Sequence, residues 1–119
     1  MARTDIKVRR VQEPPEPDDG ARVLVDRLWP RGLSRDRAAL DEWCKQVAPS
    51  SELRRWYGHD PERWGEFGRR YREELARPER AEALEHLRDL ARRGPLTLLT
   101  ASRRADISNA AVLAPLLRA

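Results

Sequence analysis

Three short segments hold most of the side chains able to grip, polarise or transfer. The first, Asp26-Arg27-Leu28-Trp29-Pro30-Arg31-Gly32, closes a strongly apolar run. Asp26 is a candidate base, or an anchor that orients an arginine. Arg27 and Arg31 present forked donors matched to carboxylate and phosphate, and Trp29 offers a face to a planar group. The plainer alternative pairs Asp26 with Arg27, gives Trp29 to the core edge and leaves Pro30 and Gly32 as turn residues. The second segment, Thr100-Ala101-Ser102-Arg103-Arg104, sets two hydroxyls and two arginines before a helix start, a pattern able to cradle an anion. Local backbone satisfaction by the hydroxyls, with solvated arginines, is the competing reading. The third segment runs from Arg54 to Asp60. There His59, whose ordinary pKa lies near neutrality, is a candidate general acid or base, or equally a turn residue.

Other chemistry is disfavoured. Two histidines far apart and one cysteine give no metal-ligand spacing. His86 falls on the polar side of its helix. Cys44 sits on an apolar stripe, where cysteine is usually inert packing. Neither a glycine-rich dinucleotide fingerprint, nor a phosphate loop ending in Gly-Lys-Ser/Thr, nor a serine elbow is present. The Trp and Tyr residues follow core-type stripes, which argues against an aromatic platform for nucleic acid.

These segments need elements to position them. Ile6, Val8 and Val11 predict a short edge strand interrupted by Lys7, Arg9 and Arg10. The proline-rich stretch 12–20 is a loop too short for a helical crossover, so the direction of that strand stays open. Val23, Leu24 and Val25 begin a buried strand over about residues 21–28. Leu40, Trp43, Cys44 and Val47 fall at i, i+3, i+4 and i+7, which predicts a helix ended by Pro49. Ser50 or Ser51 caps the next, with Leu53, Trp56 and Tyr57 on one face and Gly58 closing it. Asp60-Pro61-Glu62 opens a helix carrying Trp64, Phe67, Tyr71 and Leu75, and Pro78 opens another that stops at Gly94. Residues 95–101 predict a central parallel strand. Ser108 caps a last helix that Pro115 should kink or shorten. The active groups thus gather beyond the carboxyl ends of two strands, where open α/β sheets bind ligands.

At 119 residues the chain has room for one domain. Its net charge of +4 favours an anionic partner, although the near-exclusive use of Arg over Lys also follows from GC-rich coding. The opening residues lack the apolar core of a signal peptide. No stretch approaches the roughly 18 apolar residues of a membrane span, so a cytoplasmic protein away from membranes is expected.

The run RVLVDRLWPRGL, then LDEW, then APSSELRRWYGHDPERWGEFGRRYREEL, then PLTLLTAS with a later SNAAVL, resembles the YeaO-like branch of a bacterial family of unknown function. The resemblance extends from Lys7 to Leu117. It implies a compact three-layer α/β/α fold and carries no established activity. The family pattern falls on Asp26, Arg27, Trp29, Pro30, Arg31, Gly32, Trp43, Pro49, Ser50, Leu53, Gly58 and His59. It also falls on Asn109, which aligns with an Asn beside a His in many relatives, where this chain has Ala110. Relatives often carry Lys where this chain has Arg103. The wider family shares one feature with rhodanese-like proteins, an apolar strand ending near Asp-X-Arg. Sulfur transfer needs a thiolate at a strand end, and Thr100 and Ser102 stand there instead.

The expectation is a single α/β domain over residues 1–119, with a short, mainly parallel sheet and a helical excursion between its two central strands. Its expected function is a small-anion pocket, for phosphate or carboxylate, at the strand carboxyl ends. Asp26 and His59 are the catalytic candidates; Arg27, Trp29, Arg31, Arg54 and Asn109 are the ligand-binding ones. The alternative is a nucleic-acid or protein-binding module using the Arg-rich surface. No metal or cofactor is expected. Enzymatic turnover, ligand identity and oligomeric state stay open.

Overall fold

The computed structural model describes residues 5–118; of the opening ten residues on which the signal-peptide expectation rests, 1–4 lie outside them. Strand β1 (Ile6–Arg10) leads to β2 (Ala21–Leu24), a helical turn α1 (Arg35–Ala38) and a two-residue strand β3 (Glu42–Trp43). Helices α2 (Ser51–Tyr57), α3 (Trp64–Leu75) and α4 (Pro78–Arg93) follow, then β4 (Leu96–Thr100) and α5 (Asn109–Arg118). The strands form one parallel sheet in the order β1-β4-β2-β3.

β4 is central. Its five residues are all buried, and it pairs with β1 from Ile6↔Leu96 to Arg10↔Thr100 and with β2 from Ala21↔Leu96 to Leu24↔Leu99. The direction of β1, open from the sequence, is therefore parallel to its neighbour. The strand period of two sends Leu96 and Leu98 to one face and Thr97 and Leu99 to the other. On the first face Ile6, Val23, Val25, Leu96 and Leu98 pack under α2–α5, through Tyr57, Phe67, Tyr71, Leu84, Leu87 and Leu113 among others. The second face is smaller and more polar. Val11, Leu24, Ala38 and Leu99 make its apolar part, backed by Trp29, Leu33, Leu40 and Trp43; α1 and its flanking loops supply the third layer.

Ten residues, 11–20, carry the chain past β4 from β1 to β2 without a helix. Charge pins them down. Asp19 is 1% exposed, and its carboxylate accepts from Arg22 Nη1 at 2.6 Å, Arg9 Nη1 at 2.9 Å, Lys7 Nζ at 3.1 Å and the Glu16 amide at 3.0 Å. Arg22 also donates to the carbonyls of Ala38 and Ala39, both at 3.1 Å, so one buried guanidinium ties the loop to α1. Gly20 closes the loop at φ +64°, and a Cβ there would sit 2.1 Å from the Pro95 carbonyl oxygen.

Two elements differ from their sequence patterns. The stripe Leu40, Trp43, Cys44, Val47 is not a helix: it spans β3 and a 3₁₀ turn at Lys45–Val47. Adjacent strand residues point oppositely, so Leu40 and Trp43 join the second-face cluster while Cys44 and Val47 join the first. An apolar set at helical spacing is here shared between two cores. Pro115, expected to kink or shorten the last helix, does not shorten it: α5 continues to Arg118 with the proline on its exposed side. No helix among the described residues is long and apolar enough to cross a membrane.

Candidate functional site

Strand β2 gives up its ladder early. The Val25 amide still bonds Leu99 O at 3.1 Å, but the next residue turns out of the sheet. Trp43 Nε1 donates to the Asp26 carbonyl at 2.8 Å, and Trp29 Nε1 donates to Leu33 O at 2.7 Å. The two indoles meet edge to face at 5.4 Å, with the Arg35 guanidinium over Trp29 at 4.8 Å. Two half-buried tryptophans thus fix the loop that leaves β2, each donating its indole N–H to backbone.

Beyond the carboxyl ends of β2 and β4 this loop borders a cavity of about 260 Å³. Asp26, Arg27, Leu28, Trp29 and Pro30 line one side, Thr100, Ala101 and Ser102 a second, and Ser108 and Asn109 a third. The end of α2 contributes Arg54, Tyr57 and His59, with Pro49 and Phe67 completing the wall. Tyr57 and Phe67 stack at 4.1 Å with 13° between their planes, and the Tyr57 hydroxyl donates to Ile107 O at 2.6 Å. Asn109 Nδ2 donates to Val25 O at 2.9 Å, which joins the start of α5 to the end of β2.

The electrostatics are uneven. Burial pushes the Asp26 carboxyl above its ordinary value, against the opposing pull of the Ala101 amide, the Thr100 hydroxyl and the charge of His59. Its oxygens accept from Ala101 N at 2.8 Å and from Thr100 Oγ1 at 3.0 and 3.2 Å. No cation bonds it among the described residues. The expectation that Asp26 orients an arginine therefore fails: its partners are neutral donors, the Thr100 hydroxyl of β4 and the Ala101 amide just beyond it. Arg27 and Arg54 are exposed and, among the described residues, outside every ion pair. His59 sits at φ +58° directly after Gly58 at φ +53°. Gly58 ends α2 with its amide on Arg54 O at 3.1 Å, and the second left-handed residue swings the imidazole back to the cavity wall.

Residues 5–119 match a family model described as the inactive DUF488-N3 subclade. The chain belongs to that subclade. An uncharacterised protein of Mycobacterium tuberculosis (strain ATCC 25618 / H37Rv) is 53% identical over 114 residues, covering 96% of this chain and 94% of the relative. The uncharacterised protein YeaO of Escherichia coli (strain K12) is 42% identical over 114 residues, covering 96% and 97%. No solved structure matches the chain.

In this member of the subclade, Asp26, Arg27, Trp29, Arg54, His59 and Asn109 all line one cavity. Arg31 does not. It is exposed beyond the buried Pro30, where Gly32 at φ +79° carries the loop away. Asp26 and His59 share the cavity without a hydrogen bond between them. Arg104 of the second segment is spent on Asp106 at 2.8 Å. Tyr57 and Phe67 were legible only as core stripe residues, because stripes do not distinguish a core from the wall of a hollow within it. Away from this cavity, burial, with Glu42 nearby, pushes the Cys44 thiol up to about 11, so it stays protonated at neutral pH.

Proposed function

We propose that the cavity binds a small organic anion, held at the mouth by Arg27 and Arg54 and seated against Tyr57, Phe67 and Trp29. The observation that carries this reading is the pairing of two arginines lacking acidic partners with one apolar hollow at the strand carboxyl ends. Guanidinium groups not already matched to a carboxylate are free to take one from a ligand, and two together favour carboxylate or phosphate over a neutral group. Asn109 holds the floor by tying α5 to β2. The description of the subclade as inactive favours binding without turnover.

The test is a thermal-shift panel of small carboxylates and phosphate esters on the full chain, repeated in Arg27→Ala and Arg54→Ala. A ligand at 100 times its dissociation constant adds about 2.7 kcal/mol, a shift of several degrees at this size. Each substitution is expected to remove most of that shift while leaving the unliganded melting temperature within about a degree, as for exposed residues generally. Arg31→Ala serves as the control, with the shift intact. A shift that survives both cavity variants contradicts the reading.

A further inference from the structure

An anion site has no use for a carboxylate in its wall. Asp26 is such a group: it lines the same cavity as Arg27 and Arg54, is half-buried, and has only the neutral donors Thr100 and Ala101 as hydrogen-bond partners. A bare anion entering there gains the arginines but meets a like charge, and low-dielectric surroundings strengthen both effects. His59 is on the wall too, yet makes no hydrogen bond to Asp26. Arginines without acidic partners and a carboxylate without a cation hydrogen-bonded to it thus line one hollow. Carboxylate oxygens take more than one donor each, so Asp26 retains acceptor capacity beyond its bonds to β4.

Resting on the anion-site reading above, we propose that the ligand is a zwitterion, an α-amino acid with an apolar side chain, its carboxylate on Arg27 and Arg54 and its ammonium on Asp26. Asp26 and Arg27 both line this one hollow, so a ligand that carries both charges across one α-carbon can meet a carboxylate and a guanidinium without leaving it. The remaining wall suits the side chain: the stacked Tyr57–Phe67 pair, Pro49 and Trp29 present apolar surface. The volume also fits. About 260 Å³ is the share of roughly nine waters at about 30 Å³ each, enough for an aromatic amino acid and too little for a dinucleotide.

The experiment is isothermal titration of the full chain with matched probes. One set is L-phenylalanine, 3-phenylpropionate, which lacks the ammonium, and phenethylamine, which lacks the carboxylate. The second is L-leucine, 4-methylpentanoate and isopentylamine. In at least one set the amino acid is expected to bind at least tenfold more tightly than either partial probe. Asp26→Asn is expected to narrow the gap between amino acid and deaminated acid to about twofold, because an amide no longer offsets an ammonium. If the deaminated acids bind as tightly as the amino acids, the zwitterion inference falls and the anion site stands. If no acid of either kind binds, the zwitterion inference falls, and the phosphate esters of the panel above decide the anion site. Should Asp26→Asn fail to fold, the wild-type comparison between probes decides alone.

Discussion

Asp26 and His59 hold their positions at a cost to the fold. Burial lifts the Asp26 carboxyl above its ordinary value of 3.8, so the native state holds the proton more tightly than the unfolded chain does. Linkage then requires the contribution of Asp26 to stability to fall as pH rises from that value through the native one. Asp26→Asn removes the ionisation while its Oδ1 still accepts the Ala101 amide. Urea denaturation is expected to find the variant more stable than wild type at pH 7, with the difference shrinking at pH 3. A variant less stable at pH 7 would show that the carboxylate supports the fold. His59 has a left-handed backbone, which costs a side-chain-bearing residue roughly 1–2 kcal/mol. Glycine relieves that strain but adds about 0.4–1 kcal/mol of unfolded-state entropy. His59→Gly is expected to stabilise the chain by about 0.5–1 kcal/mol in the same assay; a loss would mean that the imidazole packs more strongly than its exposure suggests.

At the scale of elements, most of the sheet and helices could be read from the chain because each carried its own punctuation. Ser50 accepts from the Leu53 amide at 3.1 Å and Asp60 from the Glu62 amide at 3.0 Å, as their positions before helical patterns implied. β4 announced itself as an apolar run between breakers. β3 was hidden because two residues carry no period, and because its flanking apolar groups serve opposite faces. The loop 11–20 was legible as a loop, but its anchoring was not: no local pattern marks Asp19 as the partner of Arg9 and Arg22. Burial alone would raise the Asp19 carboxyl, yet the Glu16 amide, Lys7, Arg22 and Arg9 hold it well below the usual carboxylate range. Its contribution to stability is therefore present above the unfolded value near 3.8 and lost as pH falls through the native one. Asp19→Asn leaves a buried guanidinium without its counter-charge and is expected to cost about 3 kcal/mol at pH 7. The deficit should narrow in acid. A cost below about 1 kcal/mol in urea denaturation at pH 7 would mean that the loop is held by something else.

For the molecule as a whole, the strand order explains why residues scattered from Asp26 to Asn109 share one cavity. Parallel strands β2 and β4 end on the same side, and the excursion between them returns α2 to that side. Strand polarity made this much visible in the sequence. It could not show that Asp26 bonds β4 rather than an arginine, since adjacent side chains diverge at the turn that Trp43 and Trp29 fix. Nor could it separate Arg27 and Arg54 from Arg31, three arginines alike in type and exposure. The most direct measurement is an amide NMR titration of the full chain with a small carboxylate such as 3-phenylpropionate. Saturable shifts are expected at Ala101, Ser102, Asn109 and His59, with residues of α4 unmoved. Shifts spread over the arginine-bearing surface without saturation, or none at the strand ends, would contradict a ligand site in this cavity.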